Sequence, residues 1–149
     1  MQSWTLPELN YAPLRPKLEA FMTELAATFP DEVDFVVLFG SAARQEAGRG
    51  SDLDLLIGLT RESSERFLER LERFNDLAPG VEVFPYTPSE LALMRQQLHF
   101  TLLEAADHGR VLFDRGSWQA LANELRSLVE SGDVIRIPGG WHRPILLKD

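Results

Sequence analysis

Apolar residues in this chain recur at two spacings, and the switches between them lay out a sequence of helices and strands. Leu14, Leu18, Phe21, Met22, Leu25 and Phe29 fall three and four apart, which predicts a helix over about 14–29 with Pro16 confined to its first turn. Val33 to Phe39 is a β-branched and aromatic run stopped by Gly40, the pattern of a buried strand. Ser41 to Ala47 carries helix formers behind Ser41 as N-cap, and Gly48-Arg-Gly50 breaks them. Asp52 to Leu59 predicts a second strand in which Asp52 and Asp54 share one face, because side chains alternate with period two. Phe67, Leu71, Phe74 and Ala78 mark a third helix ended by Pro79-Gly80. Val81 to Tyr86 follows as a third strand, which Pro85 moves to a sheet edge or an early stop.

Thr87-Pro88-Ser89-Glu90 has the form of a capping box with proline at the first helical position. It opens one long predicted helix through Leu91, Met94, Leu98, Leu102 and Ala105 to His108, with Gly109 as the residue after its end. His99 and His108 read there as a core-edge residue and a partner of the helix dipole rather than as ligands. A brief strand at Val111–Phe113 precedes a helix carrying Trp118, Leu121, Leu125 and Leu128, capped by Ser117 and closed by Gly132; the tail after Asp133 is loop-rich. The expected fold is α+β: a small mixed sheet of three main strands plus an edge strand, with helices packed mostly on one face. At 149 residues the expectation is a single domain over 1–149, its core at about 14–114 and a C-terminal helix and tail at 115–149.

Composition narrows the function classes. The chain is 44% hydrophobic and 26% charged, and no apolar stretch approaches the ~20 residues of a membrane span. With no cysteine, any metal must be held by oxygen or imidazole. Met1 to Asn10 lacks the basic and apolar regions of a secretory signal, so the expected location is cytoplasmic. A net charge of −8 repels polyphosphate backbones and argues against general nucleic-acid binding. Only Lys17 and Lys148 are lysines, which leaves arginine for phosphate contacts, and no G-x-x-x-x-G-K-[ST] loop is present.

The chemistry concentrates between Leu38 and Ile57, where Gly40-Ser41 is followed ten residues later by Asp52-x-Asp54. A strand that ends at Gly40 and turns into a helix aims amide N–H groups outward, and the missing Cβ lets a phosphate approach the backbone. Ser41 adds a hydroxyl donor. On the next strand the two aspartates can converge on one magnesium-sized ion while Leu53 and Leu55 enter the core. Together these make a cradle for a metal–triphosphate.

This G-S-x10-D-x-D arrangement resembles the nucleotidyltransferase superfamily of DNA polymerase β, and in particular its minimal, single-domain branch. Arg44 three residues after Ser41, Ser51 before the first aspartate, and the acidic strand followed by a Thr-Pro helix extend the likeness over roughly residues 15 to 114. The resemblance implies a third carboxylate on the following strand, where Glu82 is the only acid; the family most often has aspartate there. Gln45 also stands where the family often has glycine. It further implies that Asp52, Asp54 and Glu82 bind Mg²⁺ and act catalytically, Glu82 helping to deprotonate the acceptor. Gly40, Ser41 and Arg44 would contact the phosphates of ATP or another nucleoside triphosphate. The expected reaction is transfer of a nucleoside monophosphate, AMP from ATP, to a hydroxyl, with a HEPN-type protein as the partner that the minimal branch implies in an antitoxin role. The alternative is a nucleotidyltransferase-fold binding module with impaired chemistry that regulates a partner by contact, an option kept open by Glu82. A drug-modifying transferase is disfavoured by the small room left for a substrate domain.

Overall fold

A computed structural model describes residue 1 and residues 3–144; the last five positions of the tail lie outside the described residues. The central element is a four-stranded mixed sheet in the order β3-β2-β1-β4, built from β1 (Val33–Phe39), β2 (Leu53–Leu59), β3 (Val81–Tyr86) and β4 (Arg110–Asp114). Strand β1 pairs antiparallel with both β2 and β4, whereas β2 and β3 run parallel. A parallel pair needs a crossover, supplied by α3 (Phe67–Asn75). As Pro85 foretold, β3 is an edge strand.

Period-two alternation sends the strand side chains into two cores. On one face, Val36, Leu38, Leu53, Leu55, Ile57, Val81 and Val83 pack against α1 (Leu14–Thr28) and Phe74 of α3. On the other, Phe35, Val37 and Leu56 meet α4 (Pro88–Gln96), α5 (Phe100–His108) and α6 (Ser117–Glu130). The α+β class with a mixed sheet is as expected, but the helical cover is shared between both faces rather than lying mostly on one. Among the described residues no helix is long and apolar enough to cross a membrane.

Several expected helix ends and caps shift, and α3 stops at Asn75 short of Ala78. The long helix is two: α4 stops where Leu98 takes φ +53, with Leu98 N–H donating to Arg95 O and His99 N–H to Met94 O, the paired bonds of a Schellman stop. His99 then caps α5, its Nδ1 accepting from Thr101 N–H. The helix expected over 41–47 is one turn, α2 (Gly40–Ala43), closed in the same way by Gln45 at φ +60. Helix α6 is capped by the Asp114 carboxylate, which accepts from the N–H groups of Gly116, Trp118 and Gln119, and not by Ser117. The readable part of the tail forms a hairpin of β5 (Ile135–Ile137) and β6 (Gly140–His142).

The capping box at Thr87 is realised: its hydroxyl accepts from Glu90 N–H while the Glu90 carboxylate accepts from Thr87 N–H. Glu90 also pairs with the buried Arg70, which ties α3 to α4. Thr87→Ala should therefore cost about 1 kcal/mol, read as a lower denaturant midpoint at unchanged slope; an unaltered midpoint would mean the cap adds nothing.

Candidate active site

The register of the sheet assembles the site. Strand β1 ends at Phe39, which pairs with Asp54 on β2, so the turn beginning at Gly40 emerges beside Asp54. Gly40 has φ +78, and a Cβ placed on it would overlap the Asp54 carboxylate. Only glycine lets the turn pass this close. On the other side of β2, Asp54 pairs with Glu82 across the parallel ladder, and paired residues of such a ladder face the same way. The two carboxyl groups lie within hydrogen-bonding reach.

Asp52 lies one residue before β2 begins, exposed, and acts on Asp54 through its charge. It is delivered by a loop that Ser51 tightens: Gly48 N–H donates to Ser51 Oγ at 2.9 Å, and Ser51 N–H donates to Gly48 O. Asn10 holds the start of that loop through both polar groups of the Ala47 backbone. Ser41 sits within the single turn of α2, and Arg44 closes that turn, its N–H donating to Gly40 O at 3.1 Å. The Arg44 guanidinium pairs with Glu46 and lies near enough to Asp54 to favour its ionised form.

Burial, then the Glu82 hydrogen bond and the charges of Glu82 and Asp52, push the Asp54 carboxyl up to about 6, with Arg44 offsetting only part. Three acids thus converge with little positive charge among them. They do not close as tightly as Glu104, Asp107 and His108, which form the one group among the described residues whose candidate ligand atoms all lie within 4.8 Å. A cleft of about 1160 Å³ between α4 and α6 contains none of these groups.

Residues 18–104 match the family model of the nucleotidyltransferase domain, more than half of the chain. The chain belongs to that family. No curated protein matches it. Among solved structures of similar fold is a toxin–antitoxin complex with AMP-PNP, at 14% identity and a TM-score of 0.50, covering 77% of this chain and 88% of the other. A mutant MntA–HpeT toxin–antitoxin complex aligns at 14% identity and a TM-score of 0.52, covering 78% and 88%. The MNT antitoxin complex with tri-AMPylated HEPN toxin from Shewanella oneidensis aligns at 12% and 0.50, covering 80% and 88%. The family match bears out the nucleotidyltransferase expected from the sequence.

One residue at the Gly40 turn had no chemical role in the expectation from sequence. The Gly40 N–H, expected to face outward, donates to His108 Nε2 at 2.9 Å from the end of α5. His108 is held neutral, its pKa lowered by burial and by Arg44 against the opposing pull of Glu104 and Asp107, so it is no cationic partner of the helix dipole. The only signal in the sequence was a histidine at a helix end, and nothing local points from there to a glycine 68 residues earlier.

The raised pKa of Asp54 carries a consequence for stability. Relative to the unfolded chain, where this carboxyl titrates near 3.8, the fold favours the protonated form. Stability therefore falls as pH rises from about 4 through about 6, once the charged form must be accommodated. Asp54→Asn should melt higher than the parent at pH 7.5 and at the same temperature at pH 3.5, without metal. An equal difference at both pH values would mean that Asp54 is not electrostatically strained.

Proposed function

We propose that this nucleotidyltransferase, one domain over 1–149, transfers AMP from ATP to a hydroxyl of a HEPN-type partner protein in a divalent-cation-dependent reaction. The observation that carries the reading is the pairing of Asp54 with Glu82 across β2 and β3, directly against the Gly40 turn. Carboxylates and a phosphate-facing turn in one place are what phosphoryl-type transfer requires, because such catalysis is mostly positioning and charge neutralisation. Two of the similar folds add support from their own contents: one complex holds AMP-PNP, and another holds an AMPylated HEPN toxin. A reaction that draws on ATP fits a cytoplasmic setting.

The donor set suits a hard cation. Asp52, Asp54 and Glu82 offer oxygen only, and the burial and neighbouring acids that raise the pKa of Asp54 make its charged form costly in a way a divalent cation would relieve. When bound, Mg²⁺ would neutralise the triphosphate and polarise the phosphorus under attack. The chain's own groups do the rest. Ser41 and Arg44 grip the β and γ phosphates, while Asp52 and Asp54 would hold the Mg²⁺ whose charge neutralises the α-phosphate end of the nucleotide. Glu82 takes the proton of the acceptor hydroxyl as its oxygen bonds to the α-phosphorus. The bond from that phosphorus to the bridging oxygen breaks, and pyrophosphate leaves. The extra methylene of glutamate, where aspartate is usual, is accommodated because β3 is an edge strand with Glu82 exposed.

Incubation with ATP labelled at the α-phosphate, Mg²⁺ and a HEPN-type protein should label the partner, and chelation should abolish the transfer. Glu82→Gln should lower turnover at least ~100-fold with nucleotide affinity nearly unchanged, and Glu82→Asp should retain or raise it. Binding of nucleotide and partner with no label transferred would instead establish the contact-only module.

A second variant tests the turn. Gly40→Val should weaken ATP binding measured by calorimetry, since its Cβ would displace the Asp54 carboxylate as well as fill the approach to the turn. Parent-level affinity in a folded variant would put the phosphates elsewhere.

A further inference from the structure

We propose that His108, backed by Glu104, is a positioning residue that fixes the Gly40 peptide and thereby the turn that meets the nucleotide; the inference rests on the nucleotide-binding reading above. Gly40 is squeezed from two sides. Asp54 occupies the space of its absent Cβ, and His108 Nε2 accepts its N–H at 2.9 Å. A ring nitrogen that accepts is unprotonated, so in the neutral ring the proton sits on Nδ1.

Nδ1 faces Glu104 Oε2 at 3.3 Å and Asp107 Oδ2 at 3.5 Å. Both Nδ1 and Glu104 Oε2 are buried and neither completes a hydrogen bond, so the Glu104 carboxylate acts on the Nδ1 side of the ring through its charge at 3.3 Å. Glu104 is one of few charged side chains in the interior, 7% exposed. Its second oxygen accepts from Trp141 Nε1, and Arg136 lies against Asp107 at 2.7 Å, so the β5–β6 hairpin closes the arrangement from outside. The chain of contacts runs from the hairpin through Glu104 and His108 to Gly40. In metal-site chemistry a carboxylate behind histidine fixes tautomer and ring orientation; here the same logic serves an amide.

The tight grouping of Glu104, Asp107 and His108 is not a cation site on this account. A metal on Nδ1 would shift the ring proton to Nε2, where the Gly40 N–H already points, and the Arg136 guanidinium already supplies the positive charge. Burial keeps His108 neutral and able to accept. Because the Gly40 amide is engaged, contact with phosphates falls to Ser41 and Arg44, and the role of His108 is to hold the turn that presents them.

The test uses the full chain labelled with ¹⁵N, together with the variants His108→Ala, His108→Gln, His108→Asn and Glu104→Gln. Ring nitrogen shifts should show the Nδ1–H tautomer for His108, and the Gly40 amide proton should move upfield in His108→Ala. ATP affinity with Mg²⁺, measured by calorimetry, should fall about tenfold in His108→Ala, the loss of one well-formed hydrogen bond. Glutamine reaches as far as Nε2 and can accept, so His108→Gln should bind within about threefold of the parent, whereas the shorter asparagine should behave like alanine. Glu104→Gln should disturb the tautomer signal. An Nε2–H tautomer, or equal ATP affinity in the parent and His108→Ala, would overturn the proposal. If alanine prevents folding, the glutamine–asparagine comparison decides, and equal affinities there would overturn it. A parent that binds no nucleotide overturns the proposed function, while the tautomer still reports whether His108 holds Gly40.

Discussion

The structure turns on the crowding around the Asp54 carboxyl. It lies at the start of a central strand, with Gly40 passing where a side chain would otherwise stand and Glu82 level with it on the neighbouring strand. Burial and like charge together make ionisation costly there. A fold that needed only stability would remove that charge, since a buried carboxylate without a cation is unfavourable. Strain of this kind at the end of a sheet is what the proposed cation and polyphosphate would relieve. The fold is arranged to make it: antiparallel β1–β2 pairing brings the glycine turn to Asp54, and parallel β2–β3 pairing brings Glu82.

The local half of this was legible in the sequence. The strands declared themselves through short apolar runs, and the ten-residue spacing from Gly40-Ser41 to Asp52-x-Asp54 is a chain-local feature that a hairpin-like pair of strands converts into proximity. The placement of Glu82 beside the aspartates was reached through family resemblance and is a matter of register, which no spacing within the sequence fixes. Helix breaks without glycine were not legible. Leu98 satisfies the apolar periodicity of one long helix, its side chain half-buried against the second core, while adopting a left-handed backbone that ends it. Gln45 hides the end of α2 likewise, and its side chain donates to Glu8 O at 2.7 Å, a contact 37 residues away.

Which face each helix covers was also beyond the sequence. Amphipathic helices show that they have a buried side but not against which side of a sheet it goes. The same limit concealed His108. Its helix-end position suggested a dipole partner, and only tertiary packing turns its ring towards Gly40. Functional contacts between distant segments leave no periodic trace, so the site was visible where its residues are neighbours in sequence and invisible where they are neighbours only in space.

The claim that Asp54 anchors a cation and nucleotide site is tested most directly by crystals of the chain grown with Mn²⁺ and a non-hydrolysable ATP analogue, using anomalous scattering to locate the ion. The account predicts a manganese peak touching Asp54 and Asp52, with the triphosphate beside Ser41 and Arg44. Manganese bound instead at Glu104, Asp107 and His108, or a nucleotide in the cleft between α4 and α6 with no ion at Asp54, would contradict it.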